Sequence, residues 1–262
     1  MRQHLRHVFP PVLTQRAFTR RVRRLWGAFI LIQDAVAEPL AQGDDDVMDG
    51  FPMPVAHGAR SCTPGWLADM ARMGTGGHDR SCYGGRMMMV LKQHGVATGG
   101  ALASGTVQER WVAEWLCRPR AGGRGVQGPL DDQGHKPKVT RPEAWMAAVP
   151  RGGTASHTPS LSDGGFRGDD GLAHGATAYG VQVGPLPQAA PRATRHWWRS
   201  VRQVVETTWA NLRESCGLKY PGAHSTWGLL MRVSAQVAAY NLGMMINRLC
   251  GRPDFAFATL IV

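Results

Sequence analysis

Between Arg195 and Cys216 the chain repeats apolar residues at helical spacing. Val201, Val205, Thr208 and Leu212 fall on one side, and Arg199, Arg202, Glu206 and Arg213 on the other. A helix with one apolar stripe must bury it against a second layer, so this stretch demands a packed domain around it. A second helical pattern runs from Ser225 to about Cys250, carrying Trp227, Leu230, Val233, Val237, Tyr240 and Met244, and is stopped by Gly251 and Pro253. Arg232, Gln236 and Asn241 interrupt it, which fits a packed helix and not a membrane span. The carboxylate Glu206 among the arginines of the first helix has two readings. One is an Arg202–Glu206 pair at i,i+4 on a solvated face, contributing about 0.2–0.5 kcal/mol. The other is a metal-binding carboxylate beside a nucleic-acid backbone.

The second layer reads as a sheet. Val47 to Val55 contains a short strand that ends near Asp49, because Gly50, Pro52 and Pro54 follow. Tyr83–Leu91 and Val96–Ala103 flank Gln93-His94-Gly95 and predict a hairpin. Thr106 to Cys117 predicts a helix with Thr106 and Glu109 as a capping box. Ser160 to Phe166 and Thr177 to Val183 supply two further short strands. Ahead of these, Thr14 to about Glu38 predicts one helix, with Thr14 as N-cap, Pro39 as stop, and Phe18, Val22, Leu25, Phe29, Ile32 and Val36 as its packing stripe. The order strand, hairpin, helix, strand, helix, strand, helix specifies an α/β fold with a mixed sheet flanked by helices. Residues 1–42 then form a basic helical segment, and 43–262 the main domain with a Gly/Pro-rich insertion at about 118–158.

Charge narrows the partner. A net charge of +11 over 262 residues calls for a polyanion, and nucleic acid is the first candidate. Seven arginines, Arg20 and Arg24 among them, precede the first acidic residue, Asp34. The five cysteines are scattered without a CxxC pair, which points to a reducing compartment and away from a disulfide framework. Arg20 to Ala37 has the outline of a secretory signal, but Gln33 and Asp34 break it and the amphipathic stripe replaces it. His57, Cys62, His78 and Cys82 lack the tight spacing of a zinc site. Gly123 to Gly128 fits GxGxxG, yet Pro129 follows where a dinucleotide site needs a helix.

Three carboxylates stand at informative places in the predicted order: Asp49 after the first strand, Asp163 after the fourth, and Glu206 on the helix beyond the fifth. Hard oxygen donors of this kind suit Mg²⁺, whose remaining contacts come from water and substrate phosphate.

The run Asp49-Gly50-Phe51-Pro52-Met53-Pro54, then Gly99 to Ala103 with Val107 to Trp111, Asp163 to Gly168, and Arg199 to Glu206 resembles the bacterial insertion-sequence DDE transposases. Trp227 to Leu230 with Tyr240 to Gly243 is similar to the closing helix of that family. The resemblance implies a ribonuclease-H-like fold and metal-dependent DNA cleavage and strand transfer at element ends. Asp49, Asp163 and Glu206 would be the catalytic and metal-holding triad for two Mg²⁺ (or Mn²⁺) ions. Arg202 matches the Arg of the family's Tyr-x-x-Arg-x-x-x-Glu signature, while Arg199 stands where its Tyr would be. Arg195, Arg199, Arg202, Arg20 and Arg24 are the expected DNA contacts. The implied setting is cytoplasmic, at the nucleoid, with DNA ends and target DNA as partners, a homo-oligomer in the active complex, and no membrane. A DNA-binding remnant without chemistry is the alternative.

Overall fold

The structure, a computed structural model, describes residues 14–42, 46–56, 67, 71–75, 81–105, 107, 112–113, 116, 160–161, 183–184, 189–219 and 221–260. It is a mixed α/β arrangement. Helices α1 (Gln15–Arg24) and α2 (Trp26–Leu40) precede strands β1 (Asp46–Ala56), β2 (Arg72–Thr75), β3 (Ser81–Lys92) and β4 (Ala97–Ser104). Short strands β5 (Ser160–Leu161) and β6 (Val183–Gly184) follow, then the long helices α3 (Arg192–Glu214) and α4 (Thr226–Leu249).

β1 lies inside the sheet. It pairs antiparallel with β3 on one side and parallel with β5 on the other, and β6 continues the parallel side. The outer edge of β3 is shared by β2 and β4, both antiparallel to it. The predicted hairpin is β3–β4, with Gly95 at φ 87°, a left-handed conformation that glycine adopts without strain.

β1 departs from expectation by running to Ala56, through Gly50, Pro52 and Pro54. Prolines are tolerated where a strand has an unpaired side. Among the described residues β5 pairs only Asp46 and Val47, and opposite Pro52 and Pro54 the described partner strand is β3. The acidic start is also accommodated. Asp46 is buried but faces Lys92 directly across the β1–β3 ladder, with Nζ and Oδ1 3.1 Å apart. Methionine supplies the core here in place of β-branched residues: Met48, Met53, Met87, Met88 and Met89 are fully buried.

The alternation of the strands divides the core in two. Val47, Met53, Met87, Met89 and Leu91 pack with α2, α3 and α4, whereas Met48, Met88 and Val90 pack with Val112, Ala113 and Leu116 on the opposite face. α3 buries Val201, Val205, Thr208, Trp209 and Leu212, the expected face with one addition, Trp209. α4 begins at Ser225, whose Oγ accepts from the Gly228 N–H at 3.2 Å, and it lies along α2. Two of its side chains lock the hairpin. Asn241 accepts from Ala97 N–H at 3.1 Å and donates to Ala97 C=O at 2.8 Å, and Tyr240 OH donates to Gly95 C=O at 3.0 Å. Trp227, expected inside, is instead exposed.

The N-terminal helix also differs from the sequence reading. Thr14 caps it as expected, but Leu25 divides it into α1 and α2, and Pro39 sits within the last turn of α2. The buried face is Gln33, Val36, Ala37 and Leu40; Phe18, Leu25 and Ile32 of the expected stripe are exposed. The reason is geometric: α2 packs chiefly against α4 and its buried residues all lie in its second half, so spacing alone misassigned the contact face. Among the described residues no helix is long and apolar enough to cross a membrane. The GxGxxG segment, the 118–158 insertion, His57, Cys62 and His78 lie outside the described residues.

Candidate functional site

The site is built where β1 meets α3. Asp49 and Phe51 are two apart on a strand, so both point to the face that α3 covers. Trp209 and Arg213 are four apart on α3 and share one side of the helix. The two pairs interdigitate. The Trp209 indole N–H donates to Asp49 Oδ2 at 2.6 Å. Its ring stacks on Phe51 with centroids 5.0 Å apart, and the Arg213 guanidinium lies 5.2 Å above the Phe51 ring. Trp209 is buried and Asp49 half-buried, so the carboxylate stands at the margin of the core with one oxygen held from inside.

Glu206 is three residues before Trp209, hence its neighbour on the helix surface. It is exposed, and among the described residues it has no hydrogen-bond or ion-pair partner, Arg202 included. The i,i+4 pair allowed by the sequence is not formed.

Arg192, Arg195, Arg199 and Arg202 are all exposed, and their spacing of three, four and three residues aligns them in one stripe along α3. The stripe is about 15 Å long at 1.5 Å per residue and leads, four residues on, to Glu206. Trp197 and Trp198 are half-buried and pack against the core, their ring centroids 6.4 Å apart. Arg20 and Arg24 are exposed on α1.

Of the expected triad, Asp49 and Glu206 are described, on packed elements; Asp163 lies outside the described residues. Among the described residues no three acidic, His or Cys side chains form a metal-binding group. Asp49 and Glu206 carry oxygen donors of the type that hard divalent cations take, and one Asp49 oxygen accepts from the Trp209 N–H.

Trp209 is the site residue that the sequence reading missed. Its position four after Val205 and three before Leu212 already put it on the buried face, where an indole N–H requires an acceptor. Beside α3, burial raises two groups: Cys216 is pushed up to about 11 by desolvation, and Tyr240 is raised by the same cause. Comparison of the chain with protein-family models, with curated proteins and with solved structures finds no match in any of the three.

Proposed function

We propose that this chain is a DDE transposase, cleaving DNA at the ends of an insertion sequence and joining the freed 3′ ends to target DNA. The observation that carries the reading is the Asp49–Trp209 hydrogen bond, because it docks the strand bearing the first carboxylate against the helix that bears Glu206. A ribonuclease-H-like domain is the architecture proposed. It is supported by a mixed sheet with Asp49 on an inner strand, antiparallel neighbours to one side, parallel neighbours to the other, and helices packed on the face that Asp49 shares.

The third carboxylate of this reading, Asp163, rests on the sequence resemblance alone. In this reading Asp49, Asp163 and Glu206 hold two Mg²⁺ ions, which would supply charge neutralisation and an activated oxygen nucleophile for in-line displacement at phosphorus.

The chain's own contribution is binding and orientation. The arginine stripe on α3 takes up backbone phosphates and directs a strand toward Glu206, and Arg20 and Arg24 add to the basic surface. Trp209 keeps the Asp49 carboxylate turned in one direction. Homo-oligomers would bring two DNA ends together. The test is incubation of the full chain and Mg²⁺ with DNA carrying the sequences that flank its coding region. Nicked and joined products are expected with Mg²⁺ and none with EDTA; DNA binding without product under varied metal and salt would leave a binding protein.

A further inference from the structure

We infer that the outward face of α4 is an interface for a second copy of this chain, which packs on it antiparallel about a two-fold axis. The face is apolar where a surface helix is ordinarily polar. α4 buries Val233, Val237, Tyr240 and Met244 in the main core, yet from Val233 to Asn247 it carries no charged residue on any side. Ala235, Ala239, Leu242, Ile246 and Leu249 lie on the side away from that core. Ala235 is half-buried and the others are exposed, Leu249 to 79%. Their spacing of four, three, four and three residues is the repeat of a helix seam, about 21 Å long at 1.5 Å per residue. The arginines at its margins are turned back onto their own chain. Arg248 pairs with both oxygens of Asp254 at 2.9 Å each, and Arg232 donates to the Pro221 C=O.

The sizes along the seam select the partner. Its first half is small and its second half large, so a parallel copy would set Leu against Leu and leave a gap between Ala and Ala. An antiparallel copy faces Ala239 with Leu242 and Ala235 with Ile246, each pair occurring twice about the axis, so these layers join a small residue to a large one. The outermost layer sets Leu249 against the aliphatic stem of Arg232. Charge favours the same occupant. At a net charge of +11 two copies repel each other, and this uncharged stripe adds nothing to that repulsion. An anionic partner is drawn instead to the exposed arginines of α1 and α3. The inference rests on α4 and not on the transposase reading, so a dimer that cuts no DNA would uphold it and overturn that reading alone.

The test is sedimentation equilibrium of the full chain without DNA, for wild type, Leu242→Glu, Ala239→Lys and an equimolar mixture of the two variants. Wild type should pass from monomer to dimer as its concentration rises. Each variant alone should stay monomeric, because both symmetry-related layers would bury a charge against an apolar side chain. Positions 239 and 242 are exposed in the single chain, so each variant should keep the wild-type helix content by circular dichroism. The mixture should recover the dimer. The antiparallel register sets the new carboxylate of one chain beside the new ammonium of the other, while the second such layer stays Ala against Leu. Wild type that is monomeric at every concentration, or variants that dimerise as well as wild type, overturns the inference. Monomeric variants whose mixture stays monomeric overturn the antiparallel pairing, and the inference with it. Should either variant lose helix content, Ile246→Gln decides: its dimer should be weaker by about tenfold or more, and an unchanged dissociation constant overturns the inference.

Discussion

The indole N–H of Trp209 on α3 donates to the Asp49 carboxylate on β1 across 2.6 Å, joining residues 160 positions apart in the chain. Removing the acceptor should therefore be felt in stability. Asp49→Ala leaves a buried donor unpaired and should cost about 1–3 kcal/mol, while Asp49→Asn, which keeps an acceptor oxygen, should cost clearly less. Urea unfolding midpoints with equal m-values measure the difference. Equal losses for Ala and Asn would show that the bond contributes nothing.

The hairpin lock gives an ordered pair of effects. Tyr240→Phe removes the hydroxyl that serves Gly95 C=O and Thr208 Oγ1, whereas Asn241→Leu orphans both the N–H and the C=O of Ala97. Each buried group left unpaired costs about 1–3 kcal/mol; the Thr208 hydroxyl can turn to a backbone carbonyl one helical turn back, so Tyr240→Phe strands fewer groups and Asn241→Leu should be the more damaging. Gly95→Ala should also destabilise: its φ of 87° disfavours a side chain, and a Cβ would lie 2.8 Å from the Phe255 ring and from Thr208 Oγ1. Denaturant titration of the three variants tests the order.

Alkaline pH should unfold the chain through Cys216 and Tyr240. Both are neutral when protonated, and burial raises both above their ordinary values, so the folded state holds its protons more tightly than the unfolded state. The resulting stabilisation is complete below the unfolded values, and for Cys216 it is lost as pH rises from about 9.0 to about 11. Tyr240 extends the loss upward from 10.0. Cys216→Ala should flatten the first part of the fall and Tyr240→Phe the second. At pH 8 exposed Cys250 should be alkylated well before Cys216, as peptide mapping would reveal.

Much of this architecture was legible in the sequence, and the exceptions have physical causes. The β3–β4 hairpin, the cap at Thr14, the start of α4 next to Ser225 and the buried face of α3 follow from short-range periodicity and capping chemistry, which operate within a few residues. β1 was underestimated because its prolines and aspartates are poor strand formers locally. Their tolerance depends on Lys92 across the ladder and on a side of β1 that the described strands leave unpaired, neither of which is a local property. The stripe on α1 and α2 failed for a similar reason: periodicity finds an apolar face, but the placement of α4 decides which face is covered. At the site, Asp49 and Glu206 were picked out from position and resemblance. Trp209 was overlooked because a tryptophan at helical spacing is ordinarily core, and its acceptor lies on a distant strand.

DNA affinity should carry the signature of the α3 stripe. If Arg195, Arg199 and Arg202 each meet a phosphate, single Ala variants should weaken binding similarly for all sequences. Each should lower the slope of log K against log salt by about 1. Unchanged slopes would move the DNA path off this helix.

The account stands most directly on Glu206, exposed and unpaired among the described residues one helical step from the side chain that holds Asp49. The deciding measurement is Mg²⁺-dependent cleavage of DNA bearing the flanking ends by wild type and Glu206→Gln, with DNA affinity measured in parallel. The account predicts cleavage by wild type, its loss in Glu206→Gln, and affinities within about twofold of each other, since one exposed carboxylate adds no phosphate contact. Cleavage retained in Glu206→Gln, or absent from wild type that binds the same DNA, would contradict it.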